Sequence, residues 1–173
     1  MSGVAGYLDL KAEKLNALKA HLANSDQPPT ALQATARVAD ASGVRPVQVR
    51  NFTIVTDSSP ALAGYDLGPT APELLLSSLA SCVAHTFLIV AANKGYRYDS
   101  LEVTVSGVID FRGVLEVGEG IPSAPQQLRY EARIASQLSS EQLSEIQRDV
   151  ERLCPVLQAI TQPLSVEGKV VQL

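Results

Sequence analysis

The chain has 173 residues, a formal net charge of -4, 46% hydrophobic residues, no Trp and two Cys. That length suits one domain with a sizeable core, and the acidic balance, without any block of Lys and Arg interleaved with aromatics, argues against a nucleic-acid face. The opening MSGVAGYLDLK lacks the basic start and apolar stretch of a secretory signal, so a cytoplasmic protein with two working thiols is expected rather than a disulfide-stapled secreted one.

Residues 8–24 have the spacing of a short helix, with Leu15, Leu18 and Leu22 on one side, and Pro28 and Pro29 end it. Residues 31–40 alternate, placing Leu32, Ala34, Ala36 and Val38 on one face. A Ser42-Gly43 turn leads into a second strand over 47–57. Its apolar positions change parity between Val49 and Phe52, which predicts a bulge or a strand covered on both faces. An ordered Pro- and Gly-rich loop, 58–70, opens onto LLLSSLASCVAHTFLIVAA. This run is apolar enough to raise the question of a membrane span. Its Ser77, Ser78, Ser81, His85 and Thr86, and its place among alternating strands, predict a buried helix instead.

Thr70 and Glu73 match a capping box and Gly95 a stop signal, giving a helix of roughly 23 residues, about 34 Å long. Two half-buried strands follow, 101–110 with Leu101, Val103 and Val105 inward, and 128–136 with Leu128, Tyr130, Ala132 and Ile134 inward. Ser139 and Gln142 form a second capping box, opening a helix that carries Leu143, Ile146, Val150 and Leu153; Pro155 ends it at Cys154. A last strand is expected over 164–173. This order of helices and strands is that of an α+β chain.

Cys82 lies in the middle of the apolar helix, sharing a face with Ser78, His85 and Thr86. A thiolate is the nucleophile, and bringing a thiol from about 8.5 to about 6 takes roughly 3.4 kcal/mol of preferential stabilisation. The helix offers His85; Arg37, Arg45, Arg50 and Arg112 are the cations on other elements, and spacing does not choose among them. Cys154, at a helix end, completes a pair that fits a peroxidatic and a resolving thiol. It also fits two apolar core residues, since free Cys is among the most buried types. Cys82, His85 and Cys154 match no standard zinc spacing, and no metal or organic cofactor is expected.

The segments GPTAPELLLSSLASCVAHTFLIVAANKGY and VERLCPVLQAITQPLSVEGKV together resemble the OsmC/Ohr family, in its broad OsmC-like branch with an N-terminal helix. The resemblance covers residues 31–173 and leaves 1–30 as an N-terminal helical extension. It implies an OsmC-like fold assembled as an intertwined homodimer, with long central helices packed on sheets. The implied activity is reduction of organic hydroperoxides in oxidative stress defence. Cys82 would become a sulfenic acid, Cys154 would close a disulfide with it, and a dithiol, often lipoyl-based in this family, would reduce that disulfide. By the same resemblance Arg45 would activate the thiolate and Glu73 would hold the arginine. The alternative from a different class is a non-catalytic protein on this fold that binds a small hydrophobic ligand at the dimer interface.

Overall fold

The computed structural model describes residues 3–172. The chain folds into helix α1 (Val4–Ala23) and strands β1 (Thr35–Ala36), β2 (Arg45–Val49) and β3 (Phe52–Thr56). Helix α2 (Ala71–Lys94), strand β4 (Ser100–Val108), short helix α3 (Phe111–Val114), strand β5 (Gln126–Ala135) and helices α4 (Ser140–Leu153) and α5 (Pro155–Thr161) follow. This is the α+β order expected. It divides into two compact units, one of Met1–Leu18, Leu79–Thr104 and Tyr130–Leu173, the other of Lys19–Ser78 and Val105–Arg129.

In the first unit, Leu8 of α1 is fully buried with Ala91, Ala92 and Tyr98, and Val4, Ala12, Leu15 and Leu88 pack around them. The apolar stripe of α1 does run on through Leu18 and Leu22, as the sequence predicts. These two are half exposed, however, because the stripe outlasts the cluster it docks on. Burial instead favours the first half of the helix. Lys94 bonds Glu145 at 2.7 Å and Asp149 at 2.8 Å, and the Tyr96 hydroxyl donates to Glu145 at 2.7 Å, so the end of α2 is fixed to α4. Helix α4 begins on the predicted capping box of Ser139 and Gln142. It buries Ile146 and Val150, while Leu153 stays exposed.

Helix α2 is capped as expected, the Thr70 N–H and hydroxyl donating to Glu73 Oε2 at 2.7 and 2.8 Å, and it stops at Gly95, whose φ of +70° favours glycine. Its length and mean hydropathy of 2.0 would suffice to cross a membrane. Leu79, Val83, Thr86, Phe87, Val90, Ala91 and Ala92 are nonetheless buried within the protein. β4 and β5 pair, and the inward sets read from the alternation are the half-buried ones. Asp99 donates to Ala135 while Gly107 lies against Gln126, so the two strands run antiparallel.

In the second unit β1, β2 and β3 form an antiparallel meander. Here the expectation for 47–57 is corrected: Val49 pairs with Phe52, and Arg50, in the left-handed region at φ 51°, turns the chain in two residues. The parity change is a reversal of direction rather than a bulge. The last expected strand is corrected too. Residues 163–172 form no strand, and Leu164, Val166, Val170 and Val171 are 64 to 99% exposed. The alternating pattern is present, but among the described residues no strand pairs with it; Leu173, the end of the expected strand, lies outside them.

Candidate functional site

The α4–α5 junction is built by one dipeptide. Proline disfavours a helical residue before it yet suits the first turn of a helix, so Cys154 takes ψ 111°, closing α4 and preceding α5. The side chain of Cys154 is fully buried there, and Cys82, partly exposed on α2, is near enough for the two thiols to affect each other's ionisation. Both cysteines belong to the first unit, which brings together two thiols 72 residues apart in sequence.

Burial pushes the Cys82 thiol up, and the neighbouring Cys154 adds to this; the Val156 N–H and the Thr86 hydroxyl pull it down. The net direction is upward. None of these groups is a cation, and the two donors do not outweigh burial. His85 is exposed and accepts from Lys11 of α1 at 2.9 Å; desolvation and then Lys11 hold its imidazole below the ordinary range, so it is neutral at pH 7. The Tyr130 hydroxyl, which feels the field of Cys154, donates to Glu151 at 3.0 Å.

The second unit holds the other two residues singled out by sequence. Arg45 opens β2, and its guanidinium donates to the Gly43 carbonyl, to the Asp57 carbonyl at 3.1 Å and to the Ser58 hydroxyl at 3.4 Å. Glu73, exposed at the start of α2, completes the Thr70 cap. Arg112 is engaged by Asp110, with a contact of 2.6 Å, and Arg50 lies over the Phe52 ring.

Asp57 is a residue that sequence reasoning missed. It is fully buried and accepts from the N–H groups of Ser58, Tyr65 and Leu67 at 2.8, 2.9 and 3.2 Å. Desolvation pushes its carboxyl up, but these three bonds and the field of Arg45 outweigh it and hold the group below its usual range. The loop they shape needs Gly64, where a Cβ would come within 1.9 Å of the Ser58 carbonyl oxygen. An Asp leaving a strand for a Ser-Ser-Pro turn was the available signal.

The same unit contains a cavity of about 430 Å³, with Leu62, Leu76, Ile109 and Phe111 on its apolar side and Thr70 and Glu73 on its polar one. Among the described residues no three His, Cys, Asp or Glu side chains gather as metal ligands.

Residues 64–169 match the family described as OsmC-like protein. A comparison with curated protein sequences found no match. Among solved structures, an OsmC-like protein from Mycoplasma pneumoniae superposes with a TM-score of 0.67 at 20% identity, covering 77% of this chain and 89% of that one. An organic hydroperoxide resistance protein from Elizabethkingia anophelis gives 0.60 at 15% identity, with coverage of 78% and 91%. Another, OsmC from Legionella pneumophila, gives 0.58 at 14%, with 78% and 92%. At these identities the likeness is one of fold, and organic hydroperoxide resistance proteins are among the chains that share it. With the family match spanning more than half of its length, the chain belongs to the OsmC-like protein family.

Proposed function

We propose that the chain is a thiol-dependent peroxidase of organic hydroperoxides, acting as a cytoplasmic homodimer in oxidative stress defence. The observation that carries this reading is the meeting of Cys82, partly exposed, with Cys154, fully buried, at a helix junction. The Cys82 thiolate attacks one peroxide oxygen, the O–O bond breaks, and the alcohol leaves with a proton while Cys82 becomes a sulfenic acid. The Cys154 thiolate then attacks that sulfur, hydroxide leaves as water after taking up a proton, and a Cys82–Cys154 disulfide closes. A dithiol of the lipoyl type returns two electrons and two protons.

The net upward shift of the thiol is the reason a cation is needed, and the roles of Arg45 as that cation and of Glu73 as its anchor are proposed from the family resemblance; here the guanidinium binds Gly43, Asp57 and Ser58, and the Glu73 carboxylate binds Thr70. Residues 31–173 form the peroxidase domain, with 1–30 as its extension. The exposed apolar tail at Leu164, Val166, Val170 and Val171 supports a second copy as the partner that completes the fold.

The apolar cavity of the second unit favours a second reading, a non-catalytic protein that holds a small hydrophobic ligand. Stopped-flow thiol loss separates the two. With the reduced protein, fast oxidation by cumene hydroperoxide over hydrogen peroxide, abolished in Cys82→Ser and halted at a sulfenic acid in Cys154→Ser, is the peroxidase outcome. Thiol loss no faster than that of free cysteine would leave the binding reading standing.

A further inference from the structure

Arg45 and the Asp57 carboxylate are joined through one peptide group. The Ser58 N–H donates to Asp57 Oδ1 at 2.8 Å, and the carbonyl of the same peptide, that of Asp57, accepts from Arg45 Nη2 at 3.1 Å. The peptide is trans and planar, so its N–H and C=O point in opposite directions and fixing one aims the other. The carboxylate is itself held at full burial, where Oδ2 accepts from the N–H groups of Tyr65 and Leu67 at 2.9 and 3.2 Å. A Cβ added at Gly43 would stand 3.7 Å from Asp57 Oδ1 and 4.0 Å from Arg45 Nη1, so the carboxylate and the guanidinium border the same point.

Among the described residues the guanidinium binds neutral acceptors alone, the Gly43 and Asp57 carbonyls and, at 3.4 Å, the Ser58 hydroxyl. The Asp57 oxygens are engaged by backbone N–H groups and not by the cation. A direct Arg–carboxylate fork would orient the side chain equally well but would neutralise it. Here Arg45 is oriented with its charge intact, since a guanidinium keeps its proton at any ordinary pH.

We propose, on the reading that Arg45 is the cation serving the Cys82 thiolate, that Asp57 is a positioning residue for Arg45. Its carboxylate sets the Asp57–Ser58 peptide, the carbonyl of that peptide sets the guanidinium, and the positive charge stays available to an anion. The acceptors lie in the turn before β2 and just after β3, not on α2, so this hold on Arg45 does not pass through Glu73.

The test reads Arg45 directly, from its guanidinium Nη–H signals in the NMR spectrum of the full chain, assigned by their loss in Arg45→Lys. The proposal expects separate signals from a slowly rotating guanidinium in the wild type. They should collapse to one averaged signal in Asp57→Asn and in Asp57→Ser, the second variant standing in if the first fails to fold. Averaged signals in the wild type overturn the proposal, and so do unchanged signals in either folded variant, which would confine Asp57 to holding its loop. The second arm is alkylation of Cys82 by iodoacetamide against pH, read by peptide mass spectrometry. The midpoint should rise by about one pH unit in Asp57→Asn, an approximately tenfold slower reaction below it, and at least as far in Arg45→Gln. A rise in Arg45→Gln with none in folded Asp57→Asn overturns the proposal. No rise in Arg45→Gln rejects Arg45 as the cation for Cys82, a separate result from the NMR signals, which decide whether Asp57 holds Arg45.

Discussion

Asp57 shows how one side chain can hold a loop. Its carboxylate ties Ser58, Tyr65 and Leu67 together, and Arg45 binds the carbonyl of the same residue. A carboxyl held below its ordinary value stabilises the folded chain in full above that ordinary value, about 4, and the contribution disappears as pH falls toward the lowered one. Asp57→Asn should therefore lower the melting temperature at pH 7 and flatten its decline between pH 5 and pH 3, as thermal unfolding across that range will show. Thiols and caps were legible in the sequence because their signals are local: Thr70 with Glu73, Ser139 with Gln142, and a cysteine before a proline. Asp57 was not, because its partners stand one, eight and ten residues on in a loop without periodicity.

Among the elements, α1 depends on its first two turns. Leu8 is wholly enclosed by Ala91, Ala92 and Tyr98, so Leu8→Ala should cost about 2–4 kcal/mol in urea unfolding, whereas Leu22→Ala, at a half-exposed position, should cost under about 1 kcal/mol. Ser139→Ala removes the side-chain half of the α4 cap and should cost about 1 kcal/mol in the same experiment. The long helix, the β4–β5 pair and α4 were readable, since each carries a sustained period and a cap or stop. The β2–β3 reversal was hidden by its turn chemistry: Arg50-Asn51 lacks the glycine that marks a two-residue hairpin, and Arg50 adopts the positive φ itself. Pro155 reads in the sequence as the end of α4, yet a proline is also a favoured first residue of a helix, and α5 begins on it.

Over the whole molecule, the alternation in 164–173 promised a strand that the single chain leaves unpaired. A pattern of side chains states which residues want a partner but not which chain provides it. If a second copy covers this tail, the full chain will sediment at twice the monomer mass, and truncation after Gln162 will shift it to monomer with exposed apolar surface that binds a hydrophobic dye. The proposed chemistry rests in turn on the two sulfurs of one chain reaching each other. Its most direct test is peptide mapping by mass spectrometry of the reduced protein after one equivalent of cumene hydroperoxide. The account predicts an intrachain crosslink between the Cys82 and Cys154 peptides, absent before peroxide and reversed by a dithiol. Two free thiols, or a crosslink joining Cys82 to another chain's Cys82, would contradict it.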